Sequence, residues 1–216
     1  MIRRILSFIG IVLFIFLSLL LVKNALPYLS GSRDFAFLES KMELADNIIW
    51  RSSFYMHISG SILCLLTGIL QFSRWIIIKK PIIHRILGQI YVLSVLLLAW
   101  PGGQFLSMYA SGGIMARIPF FILSVLWGYS TYKGYVFIKK KDRLRHSSWM
   151  IRSYAYAATA VSFRTYFLLL EYFGDFDPVL CSIVGQWASL IGNALFAELI
   201  IRRCKVSYFK LTLEAK

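Results

Sequence analysis

The chain has 216 residues, 58% of them hydrophobic and only 16% charged, with a mean hydropathy of +0.68. A soluble domain carries about 25% charged residues, so composition excludes a soluble globular protein and points to one integral membrane domain over residues 1–216. The net charge of +14 raises nucleic acid as a partner, but the basic residues gather at helix ends, where they set topology and meet anionic lipid headgroups. No basic stretch interleaves aromatics across a soluble surface, so nucleic acid is set aside.

After a short basic lead, residues 5–22 run eighteen positions without a charge. That is longer than the apolar core of a secretory signal, and KNALPYLSGS makes a poor cleavage site, so the segment reads as a retained helix. Residues 23–53 form the long first loop. In it Phe35, Leu38, Met42, Ala45 and Ile49 recur at three- and four-residue steps, with Glu39, Lys41, Glu43 and Asp46 between them. The spacing predicts an extracytoplasmic amphipathic helix capping the bundle or lying on the membrane face.

Five further spans are expected over residues 54–78, 86–108, 118–138, 150–170 and 179–201, each long enough for a hydrocarbon core of about 30 Å. The fold class is therefore all-α, a six-transmembrane-helix bundle. Pro101-Gly102-Gly103 is expected to break the third span, and Ser111-Gly112-Gly113 to form a loop. Sixteen Lys and Arg residues fall toward one side and five toward the other, and the poorer side holds seven of the ten acids. The positive-inside rule then puts both termini in the cytoplasm of a bacterial inner membrane. Cys64, Cys181 and Cys204 form no CxxC pair and lie at different depths, which supports neither a disulfide framework nor a thiolate metal site.

The polar residues sort into two layers. The second span carries His57, Ser61, Cys64, Gly68 and Gln71 on one face. Small residues there permit close packing, and His57 is the member that packing does not need. On the fifth span Arg164 reaches the same outer depth, so His57 and Arg164 are candidates for an outward site taking an anionic or polar head. The inner layer holds Gln71, Arg74, His84, Arg85, Gly88, Tyr91, His146, Arg152, Asn193 and Glu198. Two histidines on different helices at one depth suit axial ligation of a b-type haem. His84 and His146 are the candidate ligands, with Arg85 and Arg152 near the propionates. The same arginines suit lipid phosphates, and the alternative leaves both histidines as interfacial residues bonding headgroups and backbone. No hydrolase, kinase or nucleotide signature appears, so no enzymatic reaction is indicated.

The segments HISGSILCLLTGILQF, PIIHRILGQIY, LRHSSWMIRSYAYAATAVSFR and GQWASLIGNALFAELIIR resemble the bacterial predicted-membrane-protein family filed as domain of unknown function 2306. The likeness covers roughly residues 45–205, and its most specific piece is the HxxWMxRSY-type segment. It implies that His57, Gln71, His84, Arg85, Gly88, Tyr91, His146, Trp149, Met150, Arg152, Arg164, Asn193 and Glu198 belong to the family pattern. It implies no reaction. Three readings stay open: a redox protein with haem and a nearby quinone, a carrier or lipid-handling protein for an anionic small molecule or membrane lipid, and an accessory protein whose polar residues only join helices.

Overall fold

A computed structural model describes residues 2–31, 41–174 and 176–214, and among them every regular element is helical. The contacts divide the chain into two compact units, Met1–Tyr109 and Ala110–Lys216.

The first unit opens with α1 (Ile2–Ala25) and a 3-10 turn at Leu26–Ser30. Of the amphipathic helix expected in the first loop, Phe35, Leu38 and Glu39 lie outside the described residues. The remainder is one turn, α2 (Met42–Ala45), while Ile49 belongs to the next helix, α3 (Ile48–Gln71). That helix starts six residues earlier than expected. Asn47 caps it, its Oδ1 accepting from the N–H groups of Ile49 and Trp50, and such a cap outweighs the charge of Arg51 as a start signal. Ala45, Trp50 and Phe54 form a buried cluster at this end, with Tyr28, Leu44 and Phe105 packed against it.

The expected span 54–78 is in fact two helices. Helix α3 ends at Gln71, and Ser73 caps a separate α4 (Arg74–Lys79). Helix α5 (Pro81–Leu93) then begins on a proline, whose missing N–H costs nothing at a first helical turn.

The expected break at Pro101-Gly102-Gly103 does not occur. A π-helical turn, Ser94–Ala99, leads directly into α6 (Trp100–Ser107). Proline removes one donor from the ladder. The helix absorbs this by widening just before it, so that the Trp100 N–H reaches Val95 O, five residues back.

The second unit is three helices: α7 (Gly113–Lys139), α8 (Arg143–Gly174) and α9 (Pro178–Glu214). The expected glycine loop is present, with Gly112 and Gly113 both at positive φ. Between α7 and α8 the turn is only three residues. Lys141 adopts a left-handed conformation, and Asp142 accepts from the Arg145 N–H at the start of α8.

Five segments of the described chain are long and apolar enough to cross a membrane: Ile5–Ser30, Ile48–Gln71, Pro81–Ser107, Gly113–Lys139 and Pro178–Cys204. Helix α8, with 32 residues, has the length but is more polar. It is the helix that carries the site.

Candidate functional site

The second unit gathers its polar side chains along the seams of α8. Arg152 and Glu198 meet as a bidentate pair, Nε to Oε1 at 2.5 Å and Nη2 to Oε2 at 3.0 Å. Trp149, three residues earlier on α8, lies under the guanidinium at 4.7 Å from its ring centroid. The fork geometry of arginine matches a carboxylate, and the indole face adds a cation–π contact. The pair is only partly covered, the side chains being 22% and 43% exposed.

Farther along the α8–α9 seam, Asn193 spends both hydrogens of its amide. Its Nδ2 donates to Thr159 Oγ1 at 3.1 Å and to Ser162 Oγ at 2.8 Å. Both hydroxyls donate in turn to carbonyls of their own helix, at Ala155 and Ala158. On the α7–α8 seam Thr131 donates to Trp127 O, which makes Ser153 the donor in the 2.7 Å hydroxyl contact with Thr131. Sequence reading missed Thr131 and Ser153, because two hydroxyls on an apolar helix carry no mark of being paired.

His146 is tied to the same seam. Its Nδ1 lies 2.8 Å from Gly134 O. A carbonyl only accepts, so Nδ1 carries a proton and donates to it. Gly134 also leaves room for Met150, whose Sδ occupies the place of a glycine side chain.

In the first unit His57 repeats the arrangement, with Nδ1 2.8 Å from Ala99 O at the end of the π turn. A Cβ on Gly103 would lie 2.7 Å from that Nδ1, so the Pro-Gly-Gly segment makes room for the histidine instead of ending the helix. At the far end of α3, Gln71 Nε2 donates to His84 O at 3.2 Å. Its Oε1 lies 3.1 Å from where a Gly88 Cβ would stand. Tyr91, one turn on, is fully buried. Fourteen residues of α3 separate His57 from Gln71, about 21 Å, so His57 and His84 mark opposite ends of the unit.

His84, half-buried, and Arg85, exposed, belong to the first unit, and His146 to the second. Arg152, expected near haem propionates, is held by Glu198. Arg164, also in the second unit, is exposed, and its Nη1 donates to Ala160 O of its own helix at 3.0 Å. Of the candidate residues, the structure thus joins Arg152 to Glu198, sets Asn193 beyond them on the same seam, and joins Gln71 to His84.

Residues 54–201 match the family described as predicted membrane protein (DUF2306). The chain belongs to that family. The matched stretch holds every candidate residue from His57 to Glu198, while α1 and α2 precede it. No curated protein and no solved structure matches the chain.

Proposed function

We propose that this DUF2306 protein is a carrier or lipid-handling membrane protein that takes an anionic group at Arg152 in exchange for Glu198. The observation that carries this reading is the bidentate, partly exposed Arg152–Glu198 pair on facing helices. Ionisable residues within membrane helices are rare, pair with one another and mark substrate or ion pathways. A guanidinium already shaped around one carboxylate accepts another carboxylate or a phosphate in the same geometry. The displaced Glu198 carboxylate turns to the partly exposed side of the pair. Meanwhile the Asn193 bonds keep α8 and α9 together. On this reading α8 also crosses, as the fifth of six spans, and both termini face the cytoplasm of a bacterial inner membrane.

The test is ligand-induced thermal stabilisation of detergent-purified protein by palmitate, lysophosphatidate and an uncharged monoacylglycerol. The two anions should raise the melting temperature of the wild type and the uncharged lipid should not. Arg152→Gln should abolish the shift, and Glu198→Gln should enlarge it by removing the competing charge. Equal shifts in wild type and Arg152→Gln would sink the proposal.

A b-type haem on His146 is the second reading. It is favoured by the Nδ1 bond to Gly134 O, since a ligating histidine commonly donates its other nitrogen to a carbonyl. A reducible Soret band lost in His146→Ala would support it, and colourless protein from haem-replete cells would end it.

A further inference from the structure

We infer that the α7–α8 hairpin end carries a binding site for the phosphate of an anionic phospholipid, built on Lys133. The sequence places Tyr129, Lys133 and Phe137 four residues apart on α7, so all three share one face. Lys133 Nζ lies between the two rings, 5.5 Å from the centroid of Tyr129 and 5.9 Å from that of Phe137. Helix α8 extends the series at both ends. The Arg145 guanidinium stands 5.4 Å from the Phe137 ring. Trp149 meets Tyr129 edge to face, with centroids 5.5 Å apart, and itself carries Arg152. Cations and rings therefore follow one another in a continuous ladder: Arg145, Phe137, Lys133, Tyr129, Trp149, Arg152.

The three cations are not equivalent. Arg145 has Asp142, with Nε 3.3 Å from Oδ2, and Arg152 has Glu198. Among the described residues no carboxylate pairs with Lys133. Rings stabilise an ammonium but do not neutralise it, so the central rung lacks an anion. Lys133 is half-buried and lies six residues, about 9 Å, inside the end of α7. From there a flexible four-carbon stem carries its charge to headgroup depth. Tyr132 and Tyr135, exposed on the same stretch of α7, are residues of the kind that mark the membrane interface. A phosphate meets the charge, and only a lipid also covers the rings.

This deepens the lipid-handling reading and rests on it through Arg152, the last rung, but its central residue is a different one. The experiment uses delipidated full-length protein and native mass spectrometry, with phosphatidylglycerol, phosphatidylcholine and inorganic phosphate as probes. Wild type should retain phosphatidylglycerol in preference to phosphatidylcholine. Lys133→Gln should weaken that retention about fivefold, the effect of one basic residue at an anionic surface, and Lys133→Arg should restore it. Equal retention of the two lipids, or no change in Lys133→Gln, overturns the proposal. So does displacement of phosphatidylglycerol by inorganic phosphate at equal concentration, which would mark a site for the free ion. Arg152→Gln separates the two ideas. If it loses the palmitate shift but keeps the lipid preference, the ladder site stands apart from the exchange site. If Lys133→Gln alone is silent, the ladder fails while the exchange reading survives.

Discussion

Several polar side chains in this protein reach across to another helix. Asn193 is the clearest case, because all of its donor capacity goes to two hydroxyls on α8. Interhelical hydrogen bonds in membrane proteins average about 0.6 kcal/mol. Asn193→Ala is therefore expected to cost roughly 1 kcal/mol for its two bonds. Glu198→Ala should cost about 1–3 kcal/mol, since it strips a charge-assisted partner from Arg152, with partial exposure keeping it toward the lower end. Reversible unfolding in mixed micelles measures both. Replacing Asn193 with no loss of stability would show that its two bonds add nothing to the seam. The sequence marked Asn193, Arg152 and Glu198 because charged and amide groups are conspicuous in apolar helices. Their partners Thr159, Ser162 and Trp149 were not legible as partners, because pairing depends on the helix contact. Lys133 was overlooked despite a readable signal: aromatic residues at four positions before and four after it.

At the scale of the element, glycines decide where helices touch, and they differ in how much they permit. A Cβ on Gly60 of α3 would fall 2.6 Å from Ala99 N and 2.7 Å from Ser94 O, both backbone atoms of the π turn. Nothing there can move without shifting a helix. A Cβ on Gly88 would meet only the end of the Gln71 side chain, 3.1 Å away, and that amide can swing aside. Gly10 has nothing within 4 Å. Gly60→Ala is thus expected to destabilise by about 1–3 kcal/mol through overpacking. Gly88→Ala should cost less than about 1.5 kcal/mol, and Gly10→Ala should gain up to ~1 kcal/mol from helix propensity. Melting temperatures of the three variants in one detergent should follow that order, and a Gly60→Ala protein as stable as wild type would refute the close contact. Helix existence and approximate extent were written in hydrophobic runs and capping residues. The π turn was not. Pro-Gly-Gly looks like a stop signal, and only the bond from His57 to Ala99 O and the close approach of α3 show why the helix continues.

For the whole molecule, the number of membrane crossings turns on α8, among the described residues the one long helix too polar to qualify by composition. Its neighbours settle what it must do if they cross. Helix α8 pairs with α7 along its length. His146 meets Gly134, Ser153 meets Thr131, and Phe163 packs edge to face on Phe120 at 5.7 Å between centroids. The pairs advance on one helix as they retreat on the other, as in an antiparallel hairpin closed by a three-residue turn. On its other side α8 pairs with α9 from Arg152–Glu198 to Thr159–Asn193. If α7 and α9 cross, a helix paired with both in this way runs through the same depth as they do. Its Arg152, Ser153, Thr159 and Ser162 meet side chains of those neighbours, which offsets part of the cost of immersing them. At about 48 Å it is more than long enough. With α8 counted, the chain crosses six times and its termini share a side. Without it there are five crossings, and the termini are on opposite sides. Reporter fusions after Ser32, after Lys141 and within the α8–α9 turn distinguish the two. Six crossings require Lys141 to read cytoplasmic while Ser32 and the α8–α9 turn both read external. A cytoplasmic signal from the α8–α9 turn would remove α8 from the membrane and take with it the depth assigned to Arg152 and Glu198.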